Sequence, residues 1–298
     1  MDALSGLQQL LDELDADRSL ADLDRFRERV EALDRLDAYD FASRLSSGDS
    51  EVAEAVLYRR ALVLRTKLEA ANSQFYETIR DAIRRGEGRD ALLWCASQPE
   101  RERPRRDATR HSDSGDSYDY LDELVGSVFR FAVPDAPKID LSPEMVAYQP
   151  TPARHIFDLI RRTQLTAEDV LIDLGSGLGH VPLLIASCTQ ASTVGIELEP
   201  SYVESARQSA KELNLTNTTF LAQDAREADL SRGTIFYLYT PFHGAILRAV
   251  LDRLRLTAKT REIRICTFGP CTPIVDAESW LIFDSAERGH ISIFRSRR

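Results

Sequence analysis

The residues best suited to chemistry in this sequence lie in and around a glycine-rich loop. An apolar segment, 170–172, runs into Asp173, and three glycines follow at alternating positions. These are Gly175, Gly177 and Gly179. A helix is predicted to begin at His180, with Pro182 in its first turn, where a missing N–H does no harm. A strand, a glycine turn and a helix in this order are how an α/β domain holds a nucleotide-like cofactor.

The spacing of the glycines indicates which kind of cofactor this loop accepts. A dinucleotide loop has the pattern G-x-G-x-x-G and cradles a pyrophosphate at the helix N-terminus. Here the third glycine comes one residue early, and His180 stands where that pattern has glycine. The carboxylate of Asp173 would repel a pyrophosphate but suits a ligand with an ammonium group and hydroxyls. The alternative is a tight turn that needs a flexible backbone and binds nothing.

Two further acids end predicted strands in the same part of the chain. Glu197 ends the segment 191–197, and Asp224 ends the segment 218–224. Glu197 lies about twenty residues past the first glycine, the spacing at which such folds place a carboxylate on ribose hydroxyls. One acid alone is typical of a polar strand end. Three acids in order, separated by helical segments, favour a shared cofactor crevice at the carboxyl ends of the strands.

The D-x-G-x-G-x-G string resembles the first motif of the class I methyltransferases, which bind S-adenosylmethionine. The resemblance implies that Asp224 meets the adenine amino group. Within that class, YQPTPARHI, DLGSGLGHV and IRICTFGP resemble the lysine methyltransferases that lack the SET fold. In that family the segment that corresponds to YQPTPARHI contacts the methionine end of the cofactor. The candidate cofactor-binding residues are therefore Tyr148, Thr151, Asp173, Gly175, Ser176, Gly177, Gly179, Glu197, Asp224 and Ala225. For Thr151 a helix N-cap before Pro152 is the alternative role.

The acceptor is expected to approach the end of the fourth predicted strand, FYLYTPFHG. Tyr239 and Phe242 flank Pro241 there and are the candidate catalytic residues. An aromatic, desolvated pocket lowers the pKa of an amine and tolerates the cationic product through its π faces. Enzymes of this class that act on amide or amino nitrogens often carry N-P-P-Y here, and this chain has Tyr239 in place of the asparagine. Packing in the sheet core is the alternative for these aromatic residues, and His180 is the rival candidate base.

The order of the segments predicts an α/β fold with a Rossmann-like class I methyltransferase sheet. Strands alternate with helices after residue 150, and the segments 280–283 and 291–294 flank a polar turn, so the sheet is expected to be mostly parallel with an antiparallel C-terminal hairpin. Helical periodicity before residue 98 predicts an N-terminal helical domain. The predicted domains are a helical bundle (1–98), a polar linker (99–117) and an S-adenosylmethionine-binding domain (118–298).

Composition narrows the range of partners. The chain has 298 residues, is 43% hydrophobic and carries a net charge of −10. Such an acidic surface disfavours non-specific nucleic-acid binding and would steer a basic substrate favourably. The four cysteines have no C-x-x-C spacing, so buried free thiols and a reducing cytoplasm are expected, with no metal site. No apolar run approaches the roughly 20 residues that span a bilayer, so no membrane association is expected.

These observations predict an S-adenosylmethionine-dependent methyltransferase that acts on nitrogen, with protein lysine among the acceptors. A small-molecule or RNA methyltransferase and a non-catalytic cofactor-binding protein are the alternatives. Nucleic acid is not the favoured acceptor. The helical domain is expected to pack on the catalytic domain or to form a homodimer, and substrate recognition is its alternative role.

Overall fold

The structure is a computed structural model that describes residues 3–39, 52–98, 118–134, 138–140, 142–284 and 290–297. The chain divides into two compact units, Met1–Ile79 and Arg80–Arg298. The boundary falls inside a long helix and not at residue 98. Residues 99–117, predicted to be a linker, lie outside the described residues, so the predicted division into three parts stays a prediction.

The first unit is helical. Its elements are α1 (Ala3–Ala16), two short 3-10 helices (Arg18–Ala21 and Leu23–Arg25), α2 (Phe26–Asp37) and most of α3 (Val52–Arg84). The apolar residues of α1 recur three and four positions apart, so they form one face of the helix. That face enters a core of buried leucines and small residues, which includes Leu7, Leu11, Leu14, Leu36, Ala61, Leu64 and Leu68. The SSGDS sequence at residues 46–50 predicts a break between helices, and these residues lie outside the described ones.

The second unit contains a seven-stranded sheet. The strands are β1 (Val170–Leu174), β2 (Ser192–Glu197), β3 (Thr218–Ala222), β4 (Ile235–Tyr239), β5 (Arg264–Phe268), β6 (Leu281–Phe283) and β7 (Ser292–Ser296). The helices are α4 (Gly88–Ala96), α5 (Tyr120–Phe129), α6 (Ala153–Thr163), α7 (His180–Cys188), α8 (Pro200–Glu212), α9 (Gly244–Ala258) and α10 (Thr272–Asp276). The alternation of strands and helices confirms the predicted fold class.

The strand order creates a crevice at the centre of the sheet. The order is β3-β2-β1-β4-β5-β7-β6, and β1 to β5 pair in parallel while β7 runs antiparallel to both β5 and β6. The chain moves outward from β1 to β3 and then returns to β4 on the other side of β1. Ligands of open α/β sheets bind at such a reversal, beyond the carboxyl ends of the strands. The predicted C-terminal hairpin is confirmed.

The segment that leads into the sheet is fixed by a capping arrangement. The Asp119 side chain caps α5 together with Asp122, and the other Asp122 oxygen accepts a hydrogen bond from the N–H of Ala153 at the start of α6. The N-cap of α6 is Pro152, so the alternative role of Thr151 as a helix cap is wrong. Its hydroxyl instead lies 2.9 Å from the hydroxyl of Tyr237 on β4. Thr151 is therefore joined to the central strands.

All four cysteines are buried and free, as predicted. Within the described parts of the chain, no helix combines the length and apolarity that crossing a bilayer requires.

Candidate active site

A cavity of about 670 Å³ opens where β1, β2 and β4 end. It brings together ten of the residues that the sequence singled out. They are Tyr148, Thr151, Asp173, Gly175, Ser176, Glu197, Asp224, Ala225, Tyr239 and Phe242. Gly177 and Gly179 do not line the cavity. They contribute to its shape through the residues that they contact, Glu197 and Phe220.

The glycine loop is held by backbone hydrogen bonds to β2. The N–H groups of Gly175 and Ser176 both donate to the carbonyl of Ile196, at 2.8 and 3.0 Å. The N–H of Gly177 donates to Oε2 of Glu197 at 2.8 Å. Gly179 is the N-cap of α7, and a Cβ there would lie 2.7 Å from the ring of Phe220. Gly179 therefore permits close packing of α7 on β3, while Gly177 orients an acid of the cavity.

The part of the cavity that Asp173 and Glu197 line is called the inner part below, and it carries their two carboxyl groups. Asp173 is 3% exposed. Burial, and to a smaller extent the charge of Glu197, raises the pKa of its carboxyl well above the ordinary value. Oε1 of Glu197 accepts the N–H of Glu199 at 2.9 Å. A bound cation would relieve the repulsion between the two acids. The inner cavity thus suits a ligand that carries positive charge and hydroxyl groups.

One buried polar atom also points to a ligand. The hydroxyl oxygen of Ser176 is buried and makes no hydrogen bond with any described residue. A buried polar atom without a partner is costly, so its presence beside a cavity favours a bound partner. Together with the acids, it makes the residues of this cavity compatible with S-adenosylmethionine.

The third acid, Asp224, is fixed by its neighbour Arg226. The two side chains form an ion pair at 2.6 Å, and Oδ1 of Asp224 also accepts the N–H of Arg226 at 2.8 Å. The hydrogen bond from the Arg226 side chain holds the pKa of Asp224 below its ordinary value. The carboxylate therefore stays ionised at neutral pH, which suits it to accept a hydrogen bond from an amino group.

A cluster of rings closes the cavity near the start of α7. The hydroxyl of Tyr148 lies 3.2 Å from Nδ1 of His180, and the His180 ring stacks on Phe131 with centroids 3.8 Å apart. Burial lowers the pKa of His180 to about 3. The imidazole is neutral at physiological pH and is a weak proton acceptor there, which weakens its case as the rival base.

The part of the cavity at the end of β4 is called the outer part below, and Tyr239 and Phe242 line it. The Tyr239 ring is half-buried and packs against Phe268 with centroids 4.6 Å apart. Phe242 is 6% exposed and belongs to the hydrophobic core while it also lines the cavity. Packing in the core therefore applies to Phe242, and the catalytic roles of both residues stay predictions. Within the described ranges, no three His, Cys, Asp or Glu side chains are grouped closely enough to hold a metal ion.

A short segment before α6 is fastened to this strand end. The Glu144 carboxylate accepts the N–H groups of Ala245 and Ile246 at the start of α9, at 2.9 and 3.2 Å. The N–H of Val146 donates to the carbonyl of Pro241 at 3.1 Å. These contacts bring Met145, Val146 and Tyr148 to the cavity wall.

Glu199 is a functional candidate that the sequence reasoning missed. Its side chain is 5% exposed, and Oε2 accepts the N–H groups of Lys138 and Ile139 at 2.6 and 2.9 Å. Ile139 lines the cavity. Burial acts to raise the pKa of the Glu199 carboxyl, but hydrogen bonds from Ser201, Ile139 and Lys138 outweigh it, and the pKa lies below its ordinary value. Its position before Pro200 is a signal for a helix cap only, so the sequence does not reveal the contact with residues 138 and 139.

We expect Glu199→Gln to weaken cofactor binding several-fold at neutral pH. An amide lacks the charge that strengthens hydrogen bonds to the two N–H groups, a loss on the order of 1 kcal/mol. Because the folded-state pKa is depressed, the anchoring is present above the ordinary glutamate value of 4.5 and is lost as the pH falls through the folded-state value. Hydrogen exchange of the amides of Lys138 and Ile139 measures this anchoring, and calorimetry measures the affinity.

Glu204→Gln, at an exposed position on α8, the helix that follows Glu199, is the matched control. It should change neither exchange nor affinity. Equal protection of the two amides in Glu199→Gln and in the unaltered protein would remove Glu199 from this role.

Residues 165–269 match the family model of a methyltransferase domain. A protein of Lactiplantibacillus plantarum named "uncharacterized RNA methyltransferase" is 33% identical over 69 residues, which are 23% of this chain. That match spans only 15% of the relative's own length.

Two solved structures resemble parts of the chain. An RNA methyltransferase from Salinibacter ruber in complex with S-adenosyl-L-homocysteine is 27% identical, with 50% of this chain and 92% of that chain covered and a TM-score of 0.37. A SAM-dependent methyltransferase from Thiobacillus denitrificans, in complex with the same compound, is 24% identical, with 38% and 46% covered and a TM-score of 0.32.

The family match spans the glycine loop, all three acids and the end of β4, and each of these contributes to the cavity. The chain therefore contains a class I S-adenosylmethionine-dependent methyltransferase domain.

Proposed function

We propose that the whole protein transfers a methyl group from S-adenosylmethionine to a nitrogen atom of its acceptor, and that a protein lysine is the first acceptor to test. The observation that carries this proposal is the wall of the outer cavity. Tyr239, Phe242 and Ile274 supply aromatic and apolar surface there. Such a wall disfavours a charged amine and favours the neutral form that acts as the nucleophile. The faces of the rings tolerate the cationic product.

The residues of the inner cavity divide the work of binding. When bound, the cofactor supplies an electrophilic methyl group on a sulfonium. In this proposal Glu197 holds the ribose hydroxyls, and Asp224 holds the adenine amino group. Asp173 and Ser176 receive the charged methionine end, with Thr151 beside them. The segment that contains Met145 and Val146 lies against the strand end and lines the cavity. Positioning of the acceptor is expected to supply most of the rate enhancement.

RNA is the second candidate acceptor. The sequence match to the protein of L. plantarum that is named an RNA methyltransferase favours RNA, although the match covers only 69 residues. The net charge of −10 disfavours it, because binding to phosphates needs clustered basic side chains. A cofactor-binding protein without activity is the third possibility. Both an enzyme and a non-catalytic cofactor-binding protein need these acids, so measured turnover is what separates the two roles.

The test is to incubate the full chain with S-adenosylmethionine labelled on the methyl group and with fractionated cell extract. We expect label in the protein fraction, sensitive to protease and recovered as methyl-lysine after acid hydrolysis. The initial rate should rise between pH 7 and pH 9, because an unperturbed lysine has a pKa of about 10.4 and only its neutral form reacts. Gly177→Val is the matched inactive control.

Label that is removed by ribonuclease would show that RNA, and not protein lysine, is the acceptor. Label confined to small molecules would place the protein among the small-molecule methyltransferases. Cofactor binding without label in any fraction would favour the non-catalytic protein.

A further inference from the structure

The loop that follows β3 carries the adenine-side residues of the cavity. It comprises residues 224–228, and its first two residues, Asp224 and Ala225, line the cavity. The loop forms one tight turn, in which the N–H groups of Glu227 and Ala228 donate to the carbonyl of Asp224 at 2.9 and 3.1 Å. A single turn of this kind has little intrinsic stability, so its position depends on what holds it.

Arg253 on α9 holds this loop through three backbone carbonyls. Nη1 donates to the carbonyls of Ala225 and Arg226 at 3.2 and 2.6 Å. Nη2 donates to the carbonyl of Ala228 at 2.5 Å. The guanidinium is half-buried and reaches all three acceptors because its donors are arranged in a planar fork. A lysine, with a single charged nitrogen, cannot reproduce that geometry.

The position of Arg253 on α9 joins the two ends of the cavity. The first turn of α9 lines the cavity with Ile246 and Leu247, directly after the strand end that carries Tyr239. Ile246, Val250 and Arg253 are four and three residues apart, so they share one face of the helix. Val250 is completely buried. One rigid helix thus presents apolar side chains to the cavity and a guanidinium to the loop.

We propose that Arg253 is a positioning residue for the adenine end of the cofactor site. It acts through the backbone of residues 225–228 and has no contact with the ligand. Arg226 fixes the direction of the Asp224 carboxylate from the solvent side, and Arg253 fixes the position of the turn that carries it. The inference relies on the proposed function only for the identity of the cofactor, and it requires no turnover.

The experiment measures binding of two unreactive ligands by calorimetry. One is S-adenosylhomocysteine, which carries the 6-amino group of adenine, and the other is S-inosylhomocysteine, which carries an oxygen there. Arg253→Met keeps most of the side-chain length and removes the donors. We expect it to weaken binding of S-adenosylhomocysteine about tenfold, and to weaken binding of the inosyl compound much less, because displacement of Asp224 removes the preference for the amino group.

Two further variants separate positioning from general loss of structure. Arg253→Lys should fold at least as well as Arg253→Met and should recover only part of the preference for the adenosyl compound. Arg255→Met, at an exposed position on the same helix, should change neither affinity. If turnover is detected, the KM for S-adenosylmethionine should rise while kcat at saturation stays close to that of the unaltered protein.

An equal loss of affinity for both ligands, in Arg253→Met and in Arg253→Lys, would assign Arg253 to folding alone and overturn the proposal. So would an unchanged preference for the adenosyl compound. Failure of the unaltered protein to bind S-adenosylhomocysteine would instead contradict the proposed function, so the two failures are distinguishable.

Discussion

Gly177→Val is expected to abolish binding of S-adenosylmethionine and S-adenosylhomocysteine and to leave a folded protein. Gly177 has a φ of 52°, in the left-handed region that a β-branched residue resists. A Cβ there would lie 2.2 Å from Cε2 of Tyr148, whose ring would have to move. The N–H that orients Glu197 would move with the loop. We expect the dissociation constant, measured by calorimetry, to rise at least about 100-fold, equivalent to ~3 kcal/mol.

Two controls accompany this variant. Gly177→Ala introduces the same Cβ without branching and should show a smaller loss of affinity. Gly126→Ala, within α5, places a Cβ with no atom within 4 Å and should leave affinity unchanged. Circular dichroism and thermal melting establish that the variants are folded. Normal melting together with retained binding in Gly177→Val would show that the glycine loop has a structural role only.

The glycine loop and the alternation of strands and helices were accessible from the sequence because their signals are local. An apolar run that ends in an acid, followed by glycines and a helix, has one simple structural solution. Glu197 and Asp224 were predicted in the same way, since each ends a predicted strand segment. The parallel arrangement then brings the acids together, because the carboxyl ends of neighbouring parallel strands meet at one edge.

The supporting contacts were not accessible, because they join segments far apart in the chain. Glu199 reaches residues 138 and 139 about 60 positions away, and Arg253 reaches the loop after β3. A lone acid before a proline predicts a helix cap, and a lone arginine on an amphipathic helix predicts a solvated face. Thr151 shows the same limit. Its sequence context favours a cap, but its hydroxyl contacts Tyr237, a partner 86 residues away.

The subtype is also less accessible than the fold. The motif string that resembles the lysine methyltransferases is mostly glycine loop, and that loop serves the cofactor. The proposed acceptor site lies at the end of β4, where Tyr239 stands in place of the asparagine that many nitrogen-directed enzymes of this class carry. Residue types at that end constrain chemistry only weakly, since the same aromatic side chains serve the hydrophobic core. Phe242 belongs to the core and also lines the cavity, so its proposed catalytic role has to be separated from its packing by experiment.

Tyr239→Ala is expected to lower kcat about 100-fold and to leave the affinity for S-adenosylhomocysteine nearly unchanged, because misplacing the acceptor by about 1 Å has an effect of this size. The ring packs on Phe268 and lines the cavity at the end of β4, where the acceptor is proposed to approach. Tyr239→Phe keeps the ring and should retain most of the activity, since a tyrosine hydroxyl is a poor general base at neutral pH. Turnover with labelled cofactor and calorimetry with S-adenosylhomocysteine measure the two quantities.

Phe242 needs a gentler substitution than alanine, because its ring is part of the core. Phe242→Ala should lower the free energy of unfolding by about 3–5 kcal/mol, in addition to any effect on turnover. Phe242→Leu keeps most of the volume and should retain the fold and cofactor affinity, with kcat reduced more than in Tyr239→Phe. His180→Ala tests the rival base, whose pKa of about 3 predicts little effect on proton transfer at neutral pH. Suppose His180→Ala stops turnover at full cofactor occupancy while Tyr239→Ala and Phe242→Leu are silent. The acceptor would then approach the ring cluster at the start of α7, and an acid–base mechanism through His180 would replace positioning by the end of β4.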